Sequence, residues 1–348
     1  MKKTITMSLP ILSIIVPVYN LEDYVAPCLD SIYLQGVSEQ LFEVVAIDDG
    51  SSDNSLGCLR KYASAHTNMQ VVGKVNGGVS SARNYALKVC KGYFVTFLDA
   101  DDELHVNSIQ QIIHHIQDNK DAFDVLYCRG FKKTDNHQLF EVHSWHQLFE
   151  ENRIYASVDL LNKRFINGGS VCGGVFRKSF FEANNLEFAE GVANGEDTIF
   201  TYLMYACHPR IMFRNIKLNV INVREGSATH DYTMERVRRF ERNMLYLIQQ
   251  RSIHQCDASM FDAINKAAYH SIMLAIDMYL DIKGEKSYKE LYDILHVSEI
   301  RPLTIINPPF HQRVKACFLN HNFWLCLKLI EWEKQKNASM KTFRKTSN

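Results

Sequence analysis

Within the first hundred residues, four apolar, β-branched runs alternate with three segments whose apolar residues recur at helical spacing. No other feature constrains the fold as much. Residues 11–18, ILSIIVPV, form a continuous run suited to a strand covered on both faces. Leu21, Tyr24, Val25, Cys28, Leu29, Ile32 and Tyr33 then repeat as on one face of a helix. FEVVAIDD (42–49) reads as a second strand, and SSDNSLGCLRKYASAH as a helix capped by Ser52 or Asp53. MQVVGKV is a third strand, VSSARNYALKVC a helix with Ala82, Tyr85, Ala86 and Val89 facing inward, and YFVTFLD a fourth strand. This alternation predicts a mostly parallel, doubly wound sheet, in which ligands bind beyond the carboxyl ends of the strands.

Three of those strand ends are polar: PVYN, DDGSSD and DADDEL. The last sets Asp99, Asp101, Asp102 and Glu103 nearly side by side, where like charges repel unless something positive sits among them. Carboxylates at a strand end are hard oxygen ligands, and Asp99 and Asp101, spaced D-x-D, suit Mg²⁺ or Mn²⁺ shared with a diphosphate. Asp102 and Glu103 also read as the start of the next helix, VNSIQQIIHHI. In DDGSSD, a turn and helix cap account for Gly50 to Asp53, leaving Asp48 or Asp49 to accept a hydrogen bond from a pyrimidine base such as uracil. NGGVSSARN (76–84) places paired glycines before a helix start with Arg83 on its first turns, an arrangement that suits phosphate.

Past residue 120 the alternation weakens. DVLYCRGF and RIMFRNIKLNVINV read as strands, EDTIFTYLMYAC as a helix, and the chain from about 231 as mostly helical. The organisation expected is an α/β half at 1–120, a second half of the same domain at 121–230 and a helical region with a basic tail at 231–348. With 348 residues and 46% hydrophobic content, the chain can bury a substantial core. Its net charge of +0 gives no global signal for nucleic acid. Nine cysteines without a CxxC pair argue against a disulfide framework or structural zinc, so a reducing cytoplasm is the simplest setting. The opening MKKTITMSLPILSIIVPVYN imitates a signal peptide but lacks an A-x-A-like cleavage site and runs into the strand-turn-helix pattern. No run reaches the ~18 apolar residues of a spanning helix. The final stretch, HQRVKACFLNHNFWLCLKLIEWEKQK to KTFRKTSN, mixes bulky apolar residues with Lys and Arg. It reads as a packed helix with a basic tail, and leaves peripheral contact with an anionic inner leaflet open.

SIIVPVYNLEDYVAPCLDSIYLQ, FEVVAIDDGSSDNS, NGGVSSARNYAL and GYFVTFLDADD, in this order and spacing, strongly resemble the family 2 glycosyltransferases with the GT-A fold. The match is dense over the first third and thinner to about residue 230. The resemblance implies an inverting enzyme that draws a sugar from a nucleotide diphosphate-sugar, UDP-linked by expectation, with a divalent metal, Mg²⁺ or Mn²⁺, on the diphosphate. The acceptor would be a saccharide or lipid-linked hydroxyl of a surface polysaccharide. Carried over by position, Pro17 and Tyr19 line the nucleotide pocket, Asp49 meets the base, Arg83 lies near the base or diphosphate, Asp99 faces the ribose and Asp101 ligates the metal. In NGEDTIF, Asp197 is the implied general base and Glu196 a contact to sugar hydroxyls, although the two acids also suit a helix N-terminus. REGSATH (224–230) resembles the loop closing over the diphosphate, which implies Arg224, Ser227 and Thr229 at phosphate and His230 in the metal shell, although His230 also reads as a surface-loop histidine. Cys172, Gly173 and Gly174 stand where relatives often carry an aromatic and a lysine, which leaves the sugar unassigned. Two rivals are a catalytically silent nucleotide-sugar-binding scaffold of this fold and a dinucleotide-dependent oxidoreductase, the latter disfavoured because PVYN replaces the G-x-G-x-x-G turn.

Overall fold

A computed structural model describes residues 9–134, 138–142, 145–162, 170–192, 194–223, 233–282, 287–305 and 310–346. The chain divides into two compact units, residues 1–191 with 196–225, and residues 192–195 with 226–348. Residues on either side of 120 belong to the first unit and contribute strands to one sheet.

The first unit opens with strand β1 (Leu12–Val18), buried at every position as its mainly apolar run requires, with Ser13 satisfied by Glu43. Helix α1 (Glu22–Tyr33) buries Val25, Cys28, Leu29 and Ile32. Then follow β2 (Phe42–Asp48), α2 (Ser55–Ala65), β3 (Met69–Gly73), α3 (Val79–Val89) and β4 (Phe94–Phe97). β1 pairs in parallel with β2 and β4, and β2 with β3, so the first four strands form the parallel half expected from their alternation with helices.

The second half of this sheet mixes directions. A two-residue strand, β5 (Glu103–Leu104), leads to α4 (Ser108–Asn119), β6 (Val125–Lys133), β7 (Leu139–Glu141), β8 (Tyr155–Ala156) and α5 (Ser157–Asn162). β9 (Gly174–Arg177), α6 (Lys178–Ala183), α7 (Glu196–Ala206) and the long β10 (Arg210–Asn222) complete the unit. The strand order is β3-β2-β1-β4-β9-β6-β10-β5, with β7 on β6 and β8 on β10. β9 is antiparallel to both β4 and β6 and joins the two halves. Asp124, just before β6, takes Arg177 and Arg210 at 3.2 and 2.8 Å, which fixes β9 and β10 beside it. The two arginines hold its carboxyl below the usual range against the opposing effect of burial.

Two sequence expectations need correction here. α4 starts at Ser108, after Asn107 in the left-handed region, so Asp102 and Glu103 do not start it. Glu103 instead pairs with Val220 of β10. In α3 the inward face is Ser80, Ala82, Arg83, Asn84 and Ala86, whereas Tyr85 is exposed.

The second unit is helical among its described residues: α8 (Met234–Arg238), α9 (Phe240–Ile253), α10 (Ala258–Asp281), α11 (Tyr288–Ile294), α12 (Val297–Ile300), α13 (Phe310–His321) and α14 (Phe323–Thr346). Asp257 caps α10 through the backbone N–H groups of Ser259 and Met260, and Ile264, Ala268, Ile272 and Ile276 give that helix its fully buried face.

Candidate active site

The register sets the carboxyl ends level. Val18 of β1 pairs with Asp48 of β2, and Asp49 N–H donates to the Val18 carbonyl at 2.8 Å. On the other side Leu98 N–H donates to Ile15, which brings Asp99 out beside the same edge.

The loops after β1 and β2 brace each other. Asn20, at φ +53°, accepts from Ser52 N–H at 2.8 Å, and its own N–H donates to Ser51 Oγ at 2.9 Å. Leu21 N–H donates to Ser55 Oγ, Glu22 N–H to Asp53 Oδ2, and Asn54 N–H to Glu22 Oε2. The N-cap position of α2 is Asn54, without a side-chain cap, yet Asp53 serves both helices: its Oδ1 accepts the Ser55 N–H at the start of α2 at 3.0 Å and its Oδ2 the Glu22 N–H of α1, while Ser52 binds Asn20. Pro17 is buried in β1, and Tyr19 stands exposed at the mouth of this clamp.

Asp49 is buried and already bound. Lys74 Nζ lies 2.6 Å from Oδ1, and Gly77 and Gly78 donate their backbone N–H groups to the carboxylate at 3.0 and 2.7 Å. Gly78 has φ +85°, a conformation in which consecutive N–H groups can converge on one anion. Here NGG holds a protein carboxylate. Lys74 escaped sequence reasoning because the end of β3 was not counted as part of the edge, although GKV directly precedes NGG. Asp48 Oδ2 accepts from Ser51 N–H, and Asp48 Oδ1 is buried with no hydrogen-bond partner among the described residues.

The four acids after β4 have different surroundings. Asp102 is 6% exposed and accepts the Asn222 N–H at 3.0 Å. Burial pushes its carboxyl up to about 8, Asp99 adding to the effect and the Asn222 N–H opposing it. Asn222 Nδ2 also donates to the Asp101 carbonyl and to Glu103 Oε1, and Lys133 lies 3.4 Å from Glu103. Thus Asn222, at the end of β10, ties down the backbone of the acidic turn. Asp99 and Asp101 keep partly exposed side chains.

Arg83 is the charge missing from the sequence puzzle. It is 2% exposed; Nη1 donates to Asp197 Oδ1 at 2.5 Å and Nη2 to Asp99 Oδ1 at 3.0 Å, with Glu196 at 3.8 Å. The Phe188 and Phe97 rings lie 5.3 and 5.9 Å from the guanidinium carbon. Burial pulls the Arg83 pKa down, and Asp197 and Asp99 more than offset this and raise it. The guanidinium is therefore committed to two carboxylates rather than presented to a phosphate.

Asp197 sits at the start of α7, its side chain 12% exposed, and its Oδ2 accepts the Val171 N–H at 3.1 Å. Burial pushes its carboxyl up to about 7, against the pull of Arg83, with Glu196 and Asp99 adding to the rise. Cys172 is buried near the same acids; burial raises its thiol, with Asp99 contributing and Arg83 opposing.

The structure thus brings Asp99, Arg83, Glu196 and Asp197 together and sets Asp101, Asp49, Pro17 and Tyr19 on the same carboxyl edge. Arg224, Ser227, Thr229 and His230 lie outside the described residues. No group of three His, Cys, Asp or Glu residues forms a complete cation cage among the described residues. Asp101, a partly exposed carboxylate beside Asp99, fits an ion that takes one or two protein oxygens and fills its remaining positions from diphosphate and water.

A family model for glycosyl transferase family 2 matches residues 13–183. The glycosyltransferase EpsJ of Bacillus subtilis is 27% identical over 228 residues, which cover 64% of this chain and 63% of EpsJ. The poly(ribitol-phosphate) beta-N-acetylglucosaminyltransferase TarS of Staphylococcus aureus is 30% identical over 201 residues, 57% of this chain and 33% of TarS. The chain spans less than two thirds of the length of these curated relatives. The crystal structure of S. aureus TarS 1–349 in complex with UDP-GlcNAc aligns at a TM-score of 0.59 and 21% identity, covering 94% of this chain and 92% of that one, and so shares its fold. Over residues 13–183, just under half of its length, the chain is similar to the family 2 glycosyltransferases.

Proposed function

We propose that the chain transfers a sugar from a nucleotide diphosphate-sugar, a UDP-sugar in the first instance, to a saccharide or lipid-linked hydroxyl in surface-polysaccharide synthesis, with inversion at the anomeric carbon. The observation that carries this reading is the joint hold of Arg83 on Asp99 and Asp197, which links an acid of the nucleotide-side strand end to an acid at the start of α7.

Asp197 takes the proton of the acceptor hydroxyl. The hydroxyl oxygen bonds to the anomeric carbon, and the bond from that carbon to the diphosphate oxygen breaks with its electron pair leaving on the diphosphate. A base whose carboxyl titrates near the working pH combines a useful ionised fraction with driving force for proton transfer. Arg83 keeps one Asp197 oxygen fixed and favours its ionised form before the acceptor arrives, so little reorganisation remains for the reaction. Glu196, beside it, is suited to sugar hydroxyls. Asp101 would hold Mg²⁺ or Mn²⁺, which when bound supplies charge neutralisation to the leaving diphosphate.

TarS is described with UDP-GlcNAc and with UDP, and its curated name gives a poly(ribitol-phosphate) acceptor, which supports a UDP-sugar donor and a cell-surface glycopolymer here. A screen of nucleotide-sugars for hydrolysis with Mn²⁺, Mg²⁺ and chelator tests the reading. Metal-dependent release of UDP from one donor is the expected result. Absence of hydrolysis with every donor, together with no UDP binding in Mn²⁺, overturns it.

A further inference from the structure

We propose that the outer face of α14 docks on an anionic lipid surface. The helix begins with FWLCLKLIEWEKQK, and its side chains separate cleanly around the axis. Phe323, Cys326, Leu327 and Ile330 are buried against the rest of their unit. Trp324, Leu325, Lys328, Trp332, Gln335 and Lys336 are exposed, and at ~100° per residue they fall within an arc of roughly 120°. Trp324, Lys328, Trp332 and Lys336 follow one another at intervals of four, so aromatic and cationic side chains alternate along one line.

Exposed tryptophans are costly in water, and here they are large. Trp324 is 46% exposed, Leu325 48% and Trp332 56%. Trp324 is steadied from one side by Tyr292 of α11, whose ring lies stacked 6.1 Å away, and Lys336 Nζ stands 5.1 Å from the Trp332 ring. Each indole therefore presents an apolar body with a lysine beside it, the pairing that suits the boundary between acyl chains and anionic headgroups.

One acid, Glu331, flanks this arc, about 20° beyond Trp324. Glu333 pairs with Lys315 of α13 at 2.6 Å, to the side of the exposed face. Lys334 turns the other way, to Asp277 and Asp281 of α10. From Lys334 to Asn348 the sequence holds five basic residues and no acidic one. Charge complementarity thus favours an anionic bilayer over a second copy of this chain: a two-fold contact through this face would bring Lys328 and Lys336 of both copies together with only the flanking Glu331 to offset them. No described helix is long and apolar enough to cross a membrane, so the contact is one of lying on the surface.

Flotation of the full chain with vesicles of phosphatidylcholine alone and of phosphatidylcholine with phosphatidylglycerol tests the proposal. The unsubstituted protein floats with the anionic vesicles and not the neutral ones, and its tryptophan emission shifts to the blue only with the former. Trp324→Ser/Trp332→Ser and Lys328→Glu/Lys336→Glu each weaken the association by about tenfold or more. Circular dichroism of both variants matches the parent, since all four side chains are exposed. Absence of anionic-vesicle binding, or binding by both variants undiminished from that of the unsubstituted protein, overturns the proposal. So does a concentration-dependent dimer that the tryptophan substitutions abolish while vesicle binding is absent.

Discussion

Arg83 Nη1 stands 2.5 Å from Asp197 Oδ1, joining residues 114 positions apart through a hydrogen bond that is buried on both sides. The same guanidinium reaches Asp99, so one cation on α3 fixes the exit of β4 and the entry of α7. Burying a guanidinium is costly unless its charge is matched, and here the acids that match it are those assigned to donor and acceptor chemistry.

Removing Arg83 strands buried carboxylates. Arg83→Met should lower unfolding stability by ~3–5 kcal/mol, read in urea titrations. Arg83→Lys keeps the charge but not the planar fork, so it can hold Asp99 or Asp197 firmly, not both. A smaller stability loss with turnover reduced ~100-fold is expected, the order that misplacement of a reacting group costs. Unimpaired turnover in Arg83→Lys would show that the fork does not position these acids.

The elevated carboxyl of Asp197 sets two pH dependences of opposite direction. Turnover requires the ionised base, so it should rise with pH through about 7 and level off above. Stability goes the other way. A carboxyl ordinarily near ~3.9 that is raised to about 7 on folding binds its proton more tightly in the folded state; its contribution is complete below the ordinary value and is lost as pH rises through about 7. Asp197→Asn should remove turnover and flatten both profiles while UDP binding persists. Rate and melting temperature recorded over the same pH series check it; an unchanged rate profile in Asp197→Asn would remove Asp197 as the base.

The parallel half of the sheet was legible because its strands are buried on both faces, so that β1 and β2 read as largely apolar runs between helical repeats, interrupted inside the sheet only by Ser13 and Glu43, which bond to each other. β9 was not. GVFR is four residues long, too short to display a period, and its place is set by Thr96 Oγ1 donating to the Gly174 carbonyl 78 positions away. The inner face of α3 departs from its apolar pattern at Tyr85, which is exposed. Arg83 and Asn84 are buried instead, and their partners, Asp197, Phe188 and Glu190, lie more than a hundred residues on. Lys74 and Asn222 carry no local signal: each matters only because the fold sets it beside an acid of another strand end.

Asp101 carries the metal prediction. Its carbonyl, not its carboxylate, receives Asn222 Nδ2, so truncating the side chain leaves that tie in place. UDP titrated calorimetrically into the unsubstituted chain should bind more tightly with Mn²⁺ than with chelator. Asp101→Ala should bind equally weakly in both and lose turnover. A metal response retained in Asp101→Ala would move the ion to other ligands.

The clamp between the first two loops separates backbone conformation from hydrogen bonding at one residue. Asn20 sits at φ +53° and accepts from both the N–H and Oγ of Ser52. Asn20→Gly keeps the conformation and loses the acceptor, at ~1 kcal/mol, whereas Asn20→Ala adds the left-handed penalty of a further ~1 kcal/mol. Gly50 provides the contrast within the same clamp: at φ +79°, an added Cβ would lie 2.9 Å from the Asn76 backbone nitrogen and 3.2 Å from the Lys74 carbonyl. Neither is a flexible group, so Gly50→Ala should cost more than either Asn20 variant and disturb the approach of Lys74 to Asp49. Melting temperatures should fall in the order Asn20→Gly, Asn20→Ala, Gly50→Ala, with UDP affinity weakening in parallel because Tyr19 and Asp49 border the same loops. If Gly50→Ala melted with the unsubstituted chain, the close packing of DDG against VNGG would not hold this edge together.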